Sequence, residues 1–67
     1  MIEIVLNGER RQVPPQHTLH DLMTALALEN QALALAVNRS VAPRHTWPAR
    51  ILQAQDQVEI VRAIGGG

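Results

Sequence analysis

Sixty-seven residues carrying six arginines, six acidic residues and no cysteine, with zero formal charge, allow one small domain, which at this size buries only about 60% of its unfolded-chain surface. The composition excludes a disulfide framework and a thiolate metal site, and makes the cytoplasm the default compartment. Lysine is absent and Trp47 is the single aromatic residue, so there is no stacking platform for RNA or DNA. No stretch reaches the roughly 20 apolar residues of a membrane span. Neither a nucleic-acid partner nor a membrane is expected.

The opening "MIEIVLNGERR" lacks the basic start and unbroken apolar run of a leader. It predicts instead a hairpin, because two β-rich runs flank Asn7-Gly8, whose residues both tolerate positive φ. A period of 2 sets Ile2, Ile4 and Leu6 on one face and Glu3 and Val5 on the other, which makes Val5 a candidate exposed hydrophobe. Pro14-Pro15 end the second strand. Thr18 is a plausible N-cap with Asp21 three residues on, near the positive end of a helix. Leu19, Leu22, Met23 and Leu26 form its one-sided apolar stripe, and Asn30 is its expected left-handed stop. The apolar run between Gln31 and "NRS" is short enough for a third strand. The passage "VAPRHTWPARILQAQD", broken by two prolines, predicts an irregular crossing with one short strand or helical turn anchored by Trp47 and Ile51. "QVEIVRAI" alternates again, with Val58 and Ile60 on one side and Glu59 and Val61 on the other. The expected fold is α+β, one helix packed across one face of a small mixed sheet.

Charge is mildly polarised. Residues 1–37 carry four acidic groups against Arg10 and Arg11 (net −2), and residues 38–67 carry four arginines against Asp56 and Glu59 (net +2). That pattern suits a protein docking face. Self-contained catalysis is not expected, since no phosphate loop or Ser-His-Asp spacing is present. His17 and His20 lack a third ligand and read as capping-region residues, so no metal is expected. His45 reads as a surface histidine and Trp47 as a core plug.

The three glycines that close the sequence add no packing and resist a fixed conformation. Their ordinary explanation is a frayed end. Here they follow a strand without a spacer, and the strand keeps its alternation through Ile64. Three extended residues reach about 10 Å. A tail without side chains can thread a narrow channel, and the α-carboxylate of Gly67 is the reactive group so presented. Once adenylated, it would meet a sulfur or nitrogen nucleophile with an unhindered carbonyl carbon.

Four pieces in order, "IVLNGE", "TLHDLM", "LAVNRSVAPRHTW" and "DQVEIVRAIGGG", together resemble the ThiS sulfur carrier proteins of thiamin biosynthesis, small β-grasp relatives of ubiquitin. The resemblance covers essentially the whole chain and implies a β-grasp domain over residues 1–64 followed by a reactive tail at 65–67. It implies a protein co-substrate and not an enzyme. A ThiF-like adenylating enzyme, using ATP and Mg, would activate Gly67. A persulfide would supply the sulfur of a C-terminal thiocarboxylate, and a ThiG-like thiazole synthase would accept it. The chain itself would bind no cofactor. Gly65 and Gly66 would thread the partner's channel. Val5, Val61, Arg62 and Ile64 are the expected docking residues, the two valines forming an apolar patch on the open side of the sheet edged by Arg62. The alternatives are MoaD-like delivery of sulfur to molybdopterin and a ubiquitin-like modifier or adaptor. One departure from the family is Ala54-Gln55-Asp56, where many members have Asp-Gly-Asp, and it leaves the turn type there open.

Overall fold

The structure, a computed structural model, describes residues 1–62. Asn7 and Gly8, at φ 50 and 84, reverse the chain between strand β1 (Ile2–Leu6) and strand β2 (Glu9–Val13), as a primed two-residue turn requires. The strands pair antiparallel from Ile2 opposite Val13 to Leu6 opposite Glu9. Pro14 and Pro15 then end the ladder. Gln16 sits at φ 65 and the His17 N–H donates to the Pro14 carbonyl at 3.3 Å, a reversal with proline at its second position.

Helix α1 (Leu19–Ala25) begins where the sequence predicts. The Thr18 hydroxyl accepts the Asp21 N–H at 3.0 Å, and the Asp21 carboxylate accepts the Thr18 N–H at 3.1 Å. This reciprocal box satisfies two donors that the first turn leaves free. The helix ends earlier than the expected stop at Asn30. Ala27 takes φ 60, its N–H donates to the Thr24 carbonyl at 3.0 Å, and the Leu28 N–H donates to the Met23 carbonyl at 2.9 Å. That is a Schellman ending with alanine in the position glycine favours. The early stop has a packing cause: it turns Leu28 back onto the core.

Strand β3 (Leu33–Val37) returns through a second two-residue reversal, Asn38 and Arg39 at φ 51 and 70, into strand β4 (Ser40–Ala42). Within the crossing passage, β4 supplies the short strand and a 3-10 turn over Arg44–Ala49 the helical turn. Trp47 anchors it as expected, buried, with its indole N–H donating to the Ala42 carbonyl at 2.8 Å. Arg44 lies 4.7 Å over that ring and donates to the carbonyls of Glu29 and Gln31 at 3.1 and 2.6 Å, tying the crossing to the segment after the helix. Ile51 is not the second anchor. It is 49% exposed, and Leu52 is buried in its place. The cause is a bridge between Ile51 and Thr18, in which Leu19 N–H donates to Arg50 and Leu52 N–H to His17; the extended phase it imposes turns residue 52 inward.

Strand β5 (Gln57–Arg62) lies in the middle of a five-stranded sheet of order β2-β1-β5-β3-β4. It runs parallel to β1 and antiparallel to β3. The turn before it is closed by Asp56 N–H donating to Gln53, with Gln55 at φ 73. This is the left-handed third residue of a type II turn, here held by glutamine. The core is one cluster between α1 and one face of the sheet, in which Ile4, Leu19, Leu22, Met23, Leu35, Trp47, Leu52 and Val58 are buried.

Replacing Ala27 with glycine should stabilise the chain by about 1 kcal/mol, because it removes the Cβ penalty of the left-handed conformation; a lower urea midpoint would contradict this. The Asp21 carboxyl is held below its ordinary value of 3.8 by the hydrogen bond from the Thr18 backbone, then by the Thr18 hydroxyl, with smaller pulls from His17 and His20. The folded chain therefore takes up that proton less readily than the unfolded chain. Its contribution is whole above pH 3.8 and fades as pH falls through the lower folded value. Asp21→Asn should accordingly melt earlier than the parent at neutral pH, with the gap closing in strong acid.

Candidate docking face and carrier tail

Paired residues in a sheet share a face, and successive residues alternate. Ile4, Leu35 and Val58 are buried against the helix, so the opposite face carries Val5, Gln57, Glu59 and Val61 together with Ala34, Ala36 and Val41. No helix covers it. The exposed valines there are Val41, 76% accessible, and Val61, 55%. Val61 pairs with Ala34, and Ala36 pairs with both Glu59 and Val41. The result is an apolar patch of two valines and two small alanines at the end of β5 from which the chain leaves toward the glycines.

Val61 stands where the sequence analysis put it. The rest of the expected patch is arranged differently. Val5 is half-buried on the open face, but it pairs with Gln57, four residues short of Val61, about 13 Å along the strand. Val5 and Val61 therefore do not form one patch. The neighbours of Val5 are Arg10, its partner on β2, and a shallow hollow of about 380 Å³ shared with Arg39 and Glu59. Arg62 is exposed, but it has the parity of Val58 and Ile60 and pairs with Leu33, which assigns it to the helix side and not to the border of the patch. Ile64, Gly65, Gly66 and Gly67 lie outside the described residues. Val41, Ala34 and Ala36 were not anticipated. Their signal was the alternation in "LALAV" and a valine just after a two-residue turn.

The strand that leads to the tail is held on both flanks by asparagines in the left-handed conformation. From the β3–β4 reversal, Asn38 donates its N–H to the Gln57 carbonyl at 2.7 Å and accepts the Gln57 N–H on Oδ1 at 2.9 Å. Its Nδ2 donates to Asp56 Oδ1 at 3.0 Å, while Asp56 Oδ2 accepts the Gln53 N–H at 2.9 Å. Asp56, 8% exposed, thus has both carboxylate oxygens satisfied, as burial demands. From the β1–β2 reversal, Asn7 donates its N–H to the Val58 carbonyl at 2.9 Å and accepts the Ile60 N–H on Oδ1 at 2.8 Å. Asparagine suits both places, since it tolerates positive φ and carries a short acceptor.

Among the described residues no group of three or more His, Cys, Asp or Glu is placed to hold a metal ion, and no helix is long and apolar enough to cross a membrane. What the geometry provides is a rigid strand, an uncovered face beside it, and a glycine sequence beyond.

The sequence profile of the ThiS family matches residues 4–67, a span that includes the closing glycines. The chain belongs to the ThiS family. It is a small sulfur carrier of thiamin biosynthesis. The sulfur carrier protein ThiS of Escherichia coli is 32% identical over 66 residues, which cover 98% of this chain and 100% of that protein. A thiazole synthase of Magnetococcus marinus is 38% identical over 66 residues, covering 98% of this chain but 20% of that protein. The crystal structure of the thiamine biosynthesis protein ThiS from Geobacter metallireducens superposes with a TM-score of 0.83 over 98% of this chain and all of that one, at 23% identity. That likeness establishes the β-grasp fold.

An exposed position on the uncovered face tolerates polarity. Val61→Asp should leave the urea midpoint within the equivalent of about 0.5 kcal/mol, while weakening binding to an activating enzyme; Val41→Asp should do the same, and Val5→Asp should weaken it less. Equal effects from all three, or none, would dissolve the patch as drawn.

Proposed function

We propose that the chain carries sulfur as a thiocarboxylate on Gly67 and delivers it to a thiazole synthase in the cytoplasm. The observation that carries this reading is the family match running through residue 67. The placement of the apolar patch at the tail end of the central strand supports it. In the proposed cycle a ThiF-like enzyme, with ATP and Mg, lets a Gly67 carboxylate oxygen attack the α-phosphorus and expels pyrophosphate. The terminal sulfur of a persulfide then displaces AMP from the acyl carbon. A thiol cleaves the resulting S–S bond, is oxidised to a disulfide, and leaves the thiocarboxylate. Gly65 and Gly66 fit a narrow channel because they lack side chains, and at Gly67 the absence of a Cβ keeps the carbonyl open to attack.

The patch of Val41, Val61, Ala34 and Ala36 would dock first, Arg62 standing on the other face of the strand; Ile64 is kept as a docking residue on its sequence alone. The likeness to thiazole synthases of which this sequence corresponds to only a fifth supports a ThiG-like acceptor, since physical linkage places carrier and consumer together. Binding and release must both be fast for a shuttle, and a small apolar patch with a polar rim suits such transient encounters.

Incubation with the adenylating enzyme, ATP, Mg and a persulfide donor should exchange one oxygen of the chain for one sulfur, read by intact mass. Removal of Gly66 and Gly67 should abolish the exchange. A sulfur gain that survives the truncation would refute the assignment to Gly67.

A further inference from the structure

We propose, independently of the carrier chemistry, that Asn7-Gly8 is a modification site at which the Asn7 side-chain amide converts to isoaspartate through a cyclic imide, and that the native β1–β2 turn holds this site shut.

The sequence has three asparagines, Asn7, Asn30 and Asn38. Asn30 is followed by glutamine and Asn38 by arginine, whose side chains crowd the next backbone nitrogen, whereas Asn7 is followed by glycine. Without a Cβ, Gly8 leaves its nitrogen open and its backbone free to rotate. Both residues of the pair are exposed. In the conversion the Gly8 nitrogen, giving up its proton to water, attacks Asn7 Cγ. An N–Cγ bond forms, the Cγ–Nδ2 bond breaks, and ammonia departs with a proton returned from water. Water then opens the imide. Cleavage at the Asn7 main-chain carbonyl leaves isoaspartate, with the chain running through Cβ and Cγ, and cleavage at Cγ leaves aspartate. No oxidant or cofactor takes part.

The folded turn opposes the first step. Asn7 stands at φ 50 in a primed two-residue turn. In that left-handed conformation Cβ lies close to the residue's own carbonyl oxygen. The peptide is planar, with the oxygen and the next nitrogen on opposite sides of the carbonyl carbon, so the Asn7 side chain faces away from the Gly8 nitrogen. Ring closure requires the Asn7 Cα–C bond to swing to the other side. Two bonds resist that swing: the Asn7 N–H donates to the Val58 carbonyl at 2.9 Å, and Asn7 Oδ1 accepts the Ile60 N–H at 2.8 Å. The second bond holds the electrophilic carbon, through its own oxygen, against β5. Nucleophile and carbon are kept apart until the turn opens. Conversion then follows the opened fraction, as any reaction of a transiently exposed group does when reclosing is fast.

The isoaspartyl product does not fit back into the turn. It lengthens the main chain between Leu6 and Glu9, which face each other across the hairpin, and its free carboxylate sits directly on Cα, shorter than the side chain it replaces. The acceptor for the Ile60 N–H is thereby withdrawn.

The full chain would be incubated at mildly alkaline pH, in native buffer and in guanidinium chloride at matched pH. Peptide mapping by mass locates each asparagine whose amide has become an acid, and isoaspartate is counted by its enzymatic methylation. Asn7 should convert at least roughly ten-fold faster in denaturant than in native buffer, with Asn30 and Asn38 lagging behind it in the denatured sample. Equal rates for Asn7 in the two conditions would overturn the protection. A rate at Asn7 no higher than at Asn38 in denaturant would overturn the site.

The isoaspartyl chain, isolated and returned to native buffer, should exchange the Ile60 amide roughly ten-fold faster than the parent by NMR. Asn7→Asp adds the same charge but keeps the main chain, an acceptor of the same reach and a residue that tolerates positive φ, so it should exchange at the parental rate. Parental exchange in the isoaspartyl chain, or an Asn7→Asp variant as fast as that chain, would overturn the link between the altered backbone and the lost contact.

Discussion

The fold depends on the central place of β5, a strand that must be gripped from both flanks and packed on one face only. Its inner face contributes Val58 and Ile60 to the cluster beneath α1, and its flanks are served by β1 and β3. Each neighbour belongs to a hairpin, and each hairpin begins its reversal with an asparagine whose side chain bonds to β5. Two turns that local sequence could have closed by glycine alone are thereby tied to a strand far along the chain. This couples local turn chemistry to long-range register, since a one-residue slip would face Val58 outward and break both amide contacts together.

The division of labour between the two faces follows from the same arrangement. The buried apolar cluster is on the helix side and includes the one aromatic residue, Trp47. The other side keeps Val41 and Val61 exposed and can present them to a partner. The charge pattern agrees. Arg10 and Arg39 sit near Val5 at the far end of the face, whereas Glu59 is paired with Ala36 of the patch, so the two ends of one surface differ in charge and can orient a partner. The exposed Arg10–Glu3 pair, 3.8 Å apart, adds little to stability in water.

Much of this was legible in the sequence wherever a residue type has one cheap conformation. Asn7-Gly8 specified a hairpin, Thr18 with Asp21 specified the helix start, the alternation of "QVEIV" specified the final strand, and Trp47 was placed in the core because nothing near it had comparable bulk. What escaped was set by tertiary context. Strand β4 has three residues before Pro43, too few for a period of 2 to declare itself. Ala27 carries a left-handed conformation that alanine does not advertise, and the need to bury Leu28 decided it. Ile51 and Leu52 exchange roles through a single bridge to Thr18. The distance between Val5 and Val61 follows from the parallel register of β1 and β5, which no local pattern encodes. The side of Arg62, by contrast, was available from simple parity with Val58 and Ile60.

The two outer strands have a further significance. Strand β2 lines its edge with Glu9, Arg10, Arg11 and Gln12, all exposed, and β4 is three residues long and closed by proline. Charge on one edge and brevity on the other make both poor templates for growing a sheet between molecules. An uncovered apolar face is a hazard wherever copies of the chain meet. By denying strangers a backbone to zip onto, the borders let that face remain sticky enough to be recognised without nucleating fibrils.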